Sequence, residues 1–181
     1  MLRKFLDGLY LIAGYLAGLF MIIVFLIMTC MSFGRSFRLN IPAGDEFTAW
    51  SMCAMAFLGL AHTFKSGELI RIGLIIDKLP ERARHVVEII CLLIGTAVIT
   101  FFAWHAVIMT YQSHEFGDVA QGVVAVPLWI PQLGYSAGLV ILAIAFIDEL
   151  VRVIGGHKPS YVKPPASTPE EIVARAAEGA V

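Results

Sequence analysis

Charged residues punctuate this chain at long intervals, and the stretches between them are apolar. Between Asp7 and Arg35 lie 27 uncharged residues, and between Glu46 and Lys65 there are 18. Between Glu88 and Glu115 there are 26, and between Asp118 and Asp148 there are 29. A helix rises about 1.5 Å per residue, so roughly 20 residues cross a hydrocarbon core of about 30 Å. Each stretch is long enough for one crossing and too short for two. The pattern predicts an all-α membrane protein with four transmembrane helices, near 9–33, 47–64, 88–112 and 127–150. The second stretch sits at the short limit, where Lys65 can extend its ammonium to the interface. Arg3 and Lys4 precede the first stretch as they would a signal peptide, but a signal core is only about 7–15 residues long. No clear small-x-small cleavage site follows, so the helix is expected to be retained.

Orientation follows from the basic residues in the flanks. Of the 13 Lys and Arg, 11 lie at the N-terminus, in the 65–85 loop and in the tail, against two (Arg35 and Arg38) in the first loop. The 113–126 loop has none. Both termini are therefore expected in the cytoplasm. The 65–85 loop places Glu68, Arg71, Lys78 and Arg82 on one side of a helical wheel and Leu69, Ile72, Ile76 and Leu79 on another, and Pro80 ends the pattern. It reads as an amphipathic cytoplasmic segment between helices 2 and 3. Basic residues there gain on the order of 1 kcal/mol each from anionic lipid. Arg71 and Lys78 are thus candidate contacts to membrane lipid or to another subunit. Residues 1–154 form the transmembrane domain. The Pro-, Gly- and charge-rich residues 155–181 are expected to be a disordered tail.

Composition narrows the classes. Apolar residues make up 59% of the chain and Asp, Glu, Lys and Arg only 15%, where soluble domains carry about 25%. A soluble enzyme is excluded on that ground, and a net charge of −1 speaks against a nucleic-acid partner.

The spans carry little that could do chemistry. Cys30, Cys53 and Cys91 fall in three different spans and read as small packing groups. His62 and His105 raise the question of a haem. Their places in helices 2 and 3 differ in depth by roughly 15 Å, at about 1.5 Å per residue, which is too far to share one iron. His105 is expected to hydrogen-bond within the bundle. No Asp, Glu, Lys or Arg lies near the middle of any span, where proton relays and ion-coupled sites place them. No cofactor, metal or catalytic group is expected. What the spans do carry is packing. Gly14-x-x-x-Gly18 and Gly134-x-x-x-Gly138 are small-residue pairs that let helices approach, within the chain or toward a partner subunit. Trp50, Tyr111 and Trp129 fit an interfacial aromatic belt. Asp45 and Glu46 suit a helix N-terminus, or a partner contact.

At the 57–81 stretch the chain resembles the small membrane (DctQ-like) subunit of tripartite ATP-independent periplasmic, or TRAP, transporters. Gly59, Gly67, Ile70, Arg71, Leu79 and Pro80 match that family's loop motif. Glu46 resembles its acidic residue at the start of helix 2, and Trp129, Pro131 and Gly138 its entry to helix 4. The resemblance covers roughly residues 8–155. It departs at Leu69 and Gly73, where the family often has His and Asp, and at Ala43 and Gly44, where a Trp is common. It implies a non-catalytic scaffold in the bacterial inner membrane, beside a large sodium-coupled membrane subunit and a periplasmic substrate-binding protein. Organic acids, often carboxylates, would be the solutes carried in symport. A membrane anchor of a respiratory complex and a stand-alone small transporter are the alternatives.

Overall fold

In a computed structural model, residues 2–37, 42–66 and 80–156 are described. They form four α-helices: α1 (Leu2–Ser36), α2 (Gly44–Ser66), α3 (Glu81–Glu115) and α4 (Trp129–Ile154). The amphipathic reading of the 65–85 loop and the reading of the tail fall mostly on 67–79 and 157–181, outside the described residues. Three helices, α1, α2 and α3, are long and apolar enough to cross a membrane.

α1, α2 and α3 overrun their charge-free stretches at both ends and α4 overruns its own at the C-terminal end, because charge marks the limits of hydrocarbon and not of hydrogen bonding. α1 runs 35 residues, about 52 Å at 1.5 Å per residue, and takes in Asp7. α3 begins directly after Pro80, whose extended backbone (φ −60°, ψ 148°) makes it the N-cap. α4 starts at Trp129, after Pro127 pairs with Val119 in an isolated antiparallel bridge. Pro131 then falls in the first turn, where no intrahelical N–H bond is lost.

The helices lie side by side in the order α1, α2, α4, α3, with only a marginal contact between α1 and α4. α1 and α3 start at one end of the bundle, here termed proximal, and α2 and α4 start at the other, distal end. Burial follows this order. Only 11% of the apolar window of α1 and 17% of that of α3 is covered by the chain, against 33% for α2. At the proximal end all four helices meet around Tyr10, Ala61, Phe64, Leu92, Leu142 and Ala145. Phe64 stacks on Phe146 with ring centroids 4.2 Å apart.

Small residues set the spacing. A Cβ at Gly138 would lie 2.5 Å from the backbone carbonyl carbon of Phe57, and one at Gly134 would lie 2.6 Å from the Cβ of Ala54. These two glycines bring α4 into near backbone contact with α2. Gly14 gives α1 a similar seat, where a Cβ would come within 2.9 Å of the His62 ring. Gly59 is looser, with Ala17 at 3.6 Å. Gly18, expected to share the close approach of Gly14, has nothing within 4 Å of where its Cβ would stand. One turn along, the α1 surface at that position has already rotated away from α2.

The two positions should therefore respond in opposite ways. Gly138→Leu has no room to relax against backbone and is expected to destabilise the detergent-solubilised chain by about 2 kcal/mol or more. Gly18→Leu should melt within a few degrees of the parent. Equal melting temperatures for the two variants would contradict the packing described.

Candidate functional site

The charges that end the apolar stretches meet in space at the proximal end. Lys65, in the last turn of α2, places its Nζ 2.5 Å from Asp148 Oδ2 and 3.1 Å from Glu149 Oε2 of α4. The same ammonium lies 5.5 Å from the centroid of the Tyr10 ring of α1. Glu149 is completely buried, and the Lys65 side chain is 15% exposed. A cation shared by two carboxylates and an aromatic face joins three helices at one depth. A buried ion pair gives little net stability against its desolvation cost, but it selects register, because any slip leaves a charge in apolar surroundings. Lys65 was expected to reach for the interface. It turns instead into the bundle, where two carboxylates offer more than partial hydration.

At the distal end, Asp45 and Glu46 occupy the first turn of α2, a favourable place for carboxylates. The Glu46 carboxylate also presses on Gly122 of the α3–α4 loop, where any Cβ would collide with it. That loop is closed by Ala120 N–H to the Val126 carbonyl (2.8 Å) and Leu128 N–H to the Asp118 carbonyl (2.9 Å). Trp129 stands edge-on to His114, ring centroids 5.4 Å apart, and so ties the start of α4 to the end of α3. Below them the Thr110 and Ser136 hydroxyls lie 2.6 Å apart, and each also donates toward the Ala106 carbonyl or its neighbour hydroxyl.

The other singled-out residues are scattered. Gly14, Gly59, Gly134 and Gly138 face other helices of the same chain, Gly18 is half-buried with nothing close opposite it, and Arg71 and Lys78 lie outside the described residues. His62 packs on Gly14 of α1. His105 does not hydrogen-bond inside the bundle as expected. It is exposed on α3, edge-on to Phe101 at 4.4 Å, because the position is turned away from α4. The Lys65–Asp148–Glu149 cluster is the feature that reading along the sequence missed. Its signal was present: opposite charges close the apolar stretches of two antiparallel helices at the same end.

Removing the cation alone should be costly. Lys65→Met leaves the buried Glu149 without this ammonium and is expected to destabilise the chain by about 3 kcal/mol. Adding Asp148→Asn and Glu149→Gln should restore much of the loss, read by thermal melting in detergent. A triple variant no more stable than Lys65→Met would show that the carboxylates do not depend on Lys65.

No curated protein matches the chain. A family model described as the DctQ component of tripartite ATP-independent periplasmic transporters matches residues 9–156. The match takes in all of α2, α3 and α4 and most of α1, including the Lys65 cluster and the Gly134–Gly138 seat. The chain therefore belongs to the DctQ family, the small membrane components of TRAP transporters.

Proposed function

We propose that this protein is the non-catalytic scaffold of a sodium-driven, binding-protein-dependent TRAP transporter for organic acids, chiefly carboxylates. In this reading four helices cross the bacterial inner membrane, both termini are cytoplasmic, and the 65–85 segment lies on the inner surface. A large membrane subunit carries solute and sodium, and a periplasmic binding protein delivers the solute. One observation carries the scaffold role. Every Asp, Glu, Lys and Arg of the four helices sits toward a helix end, and the most deeply buried of them, Glu149, is engaged by Lys65 of the same bundle. Ion-coupled solute sites instead place carboxylates or basic side chains near mid-membrane. The close glycine seats further support a bundle that keeps one shape while a partner moves against it.

Reporter fusions test the orientation. With 11 of 13 basic residues on one side, fusions after Gly156 and within 65–85 should read cytoplasmic, and fusions near Asn40 and Gly117 periplasmic. A periplasmic tail would reverse the topology.

Reconstitution tests the role. Vesicles holding this chain, a large TRAP membrane subunit and a substrate-binding protein should accumulate a carboxylate only under an inward sodium gradient. The purified chain alone should accumulate none. Robust sodium-driven uptake by the single chain would make it a transporter in its own right, and a haem spectrum in the purified protein would favour a respiratory anchor.

A further inference from the structure

The outward face of α3 carries polar groups at a depth where lipid offers them no partner. Its apolar span runs from His85 to Glu115, so Trp104 and His105 lie within about 8 Å of the middle at 1.5 Å per residue. Trp104 is 67% exposed, and His105 also faces out. Among the described residues neither the indole N–H nor the imidazole has a hydrogen-bond partner. Side chains on a helix lean toward its N-terminus, and α3 begins at the proximal end. Both groups therefore lean toward the middle of the span and away from the distal interface, where Trp ordinarily finds water. The outward face of α1 is different. Leu11, Ile12, Leu16, Leu19 and Ile22 are exposed there and apolar, so lipid tails would suffice to cover them, and the phenol of Tyr15 leans toward the nearer, proximal interface.

Beside Trp104 a shallow, open groove of about 510 Å³ runs along α3, lined by Leu93, Thr96, Ala97, Thr100, Phe101 and Trp104, with Leu150 of α4 at its edge. A second, about 420 Å³, lies farther along the seam between Val107 and Tyr111 of α3 and Leu133 and Ala137 of α4. The α3 residues that line the two grooves fall three and four apart, on one face of the helix. Ala97, Thr100 and Ala137 are small enough to admit a backbone.

We propose that this groove seats a transmembrane helix of the large subunit, and that an oxygen of that helix accepts the Trp104 N–H. The inference rests on the subunit role proposed above and names the face that serves it. A lipid tail has no acceptor to offer, and polypeptide at this depth is helical.

The test uses the intact complex in native membranes, with a tag on the large subunit. A photoactivatable benzophenone side chain replaces Ala97 or Tyr111 in the groove, and Ile12 or Ile22 on α1. Groove positions should give adducts with the tagged large subunit, and α1 positions should not. Adducts from α1 and none from the groove would overturn the placement while leaving the subunit role standing. So would groove adducts formed only with lipid or with a second copy of this chain. A large subunit that never co-purifies would overturn the role itself. Trp104→Phe, which keeps a ring and loses the N–H, should lower recovery of the large subunit at least threefold without moving the melting temperature of the isolated chain. Unchanged recovery would overturn the hydrogen bond.

Discussion

The approach of α4 to α2 at Gly134 and Gly138 governs the rest of the bundle. With the Phe57 backbone so near that a single added carbon would meet it, the two helices stand closer than ordinary side chains allow. Helices in lipid gain no hydrophobic drive from one another, so dispersion across such small-residue seats supplies much of their association. Once α2 and α4 are fixed, α1 can settle only on the free side of α2 and α3 only on the free side of α4. The row α1, α2, α4, α3 follows, and with it two outer helices that keep most of their surface for lipid or for another protein.

The ionic cluster is the polar counterpart of that seat. Glycine contacts fix how near the two central helices come, but helices packed on small residues can still slide. Lys65 between Asp148 and Glu149, with the Tyr10 ring beside it, removes that freedom at the proximal end. Sliding by one residue, about 1.5 Å, would part a buried carboxylate from its cation. At the distal end Glu46 against Gly122 and Trp129 against His114 do lesser versions of the same work. A bundle held at both ends and along its centre suits a part whose neighbours move. That is the mechanical content of the scaffold role proposed for this member of the DctQ family.

A polar residue at mid-depth has a different meaning when it points outward. Thr96 and Thr110 turn their hydroxyls back onto carbonyls of their own helix. Trp104 and His105 have no such local solution, because an indole or imidazole ring cannot fold back onto a carbonyl one turn away as a short hydroxyl can. Their exposure therefore sets one outward face of the bundle apart from the others, whose apolar side chains are at ease in lipid.

Much of this was legible along the chain. Hydrocarbon tolerates only helices and closed barrels, so uninterrupted apolar stretches dictated the number, type and approximate places of the helices, and loop and entry motifs carried the family resemblance. Helix ends were underestimated, since hydrogen bonding continues through Asp7 or Glu81 where apolarity stops. The neighbours of each helix were left to tertiary structure. Gly14 and Gly18 look equivalent in sequence, yet one is filled by His62 and the other faces nothing, because a glycine has meaning only through what stands opposite it. Lys65 and Glu149 are 84 residues apart, and their charges marked boundaries in the sequence without marking each other. His105 was read as a buried hydrogen-bonding group and proved to face outward, since a helix that is apolar on every side does not announce which side is covered. Sequence determined which stretches are apolar enough for a membrane; packing decided which of their atoms are shared within the bundle and which are left exposed.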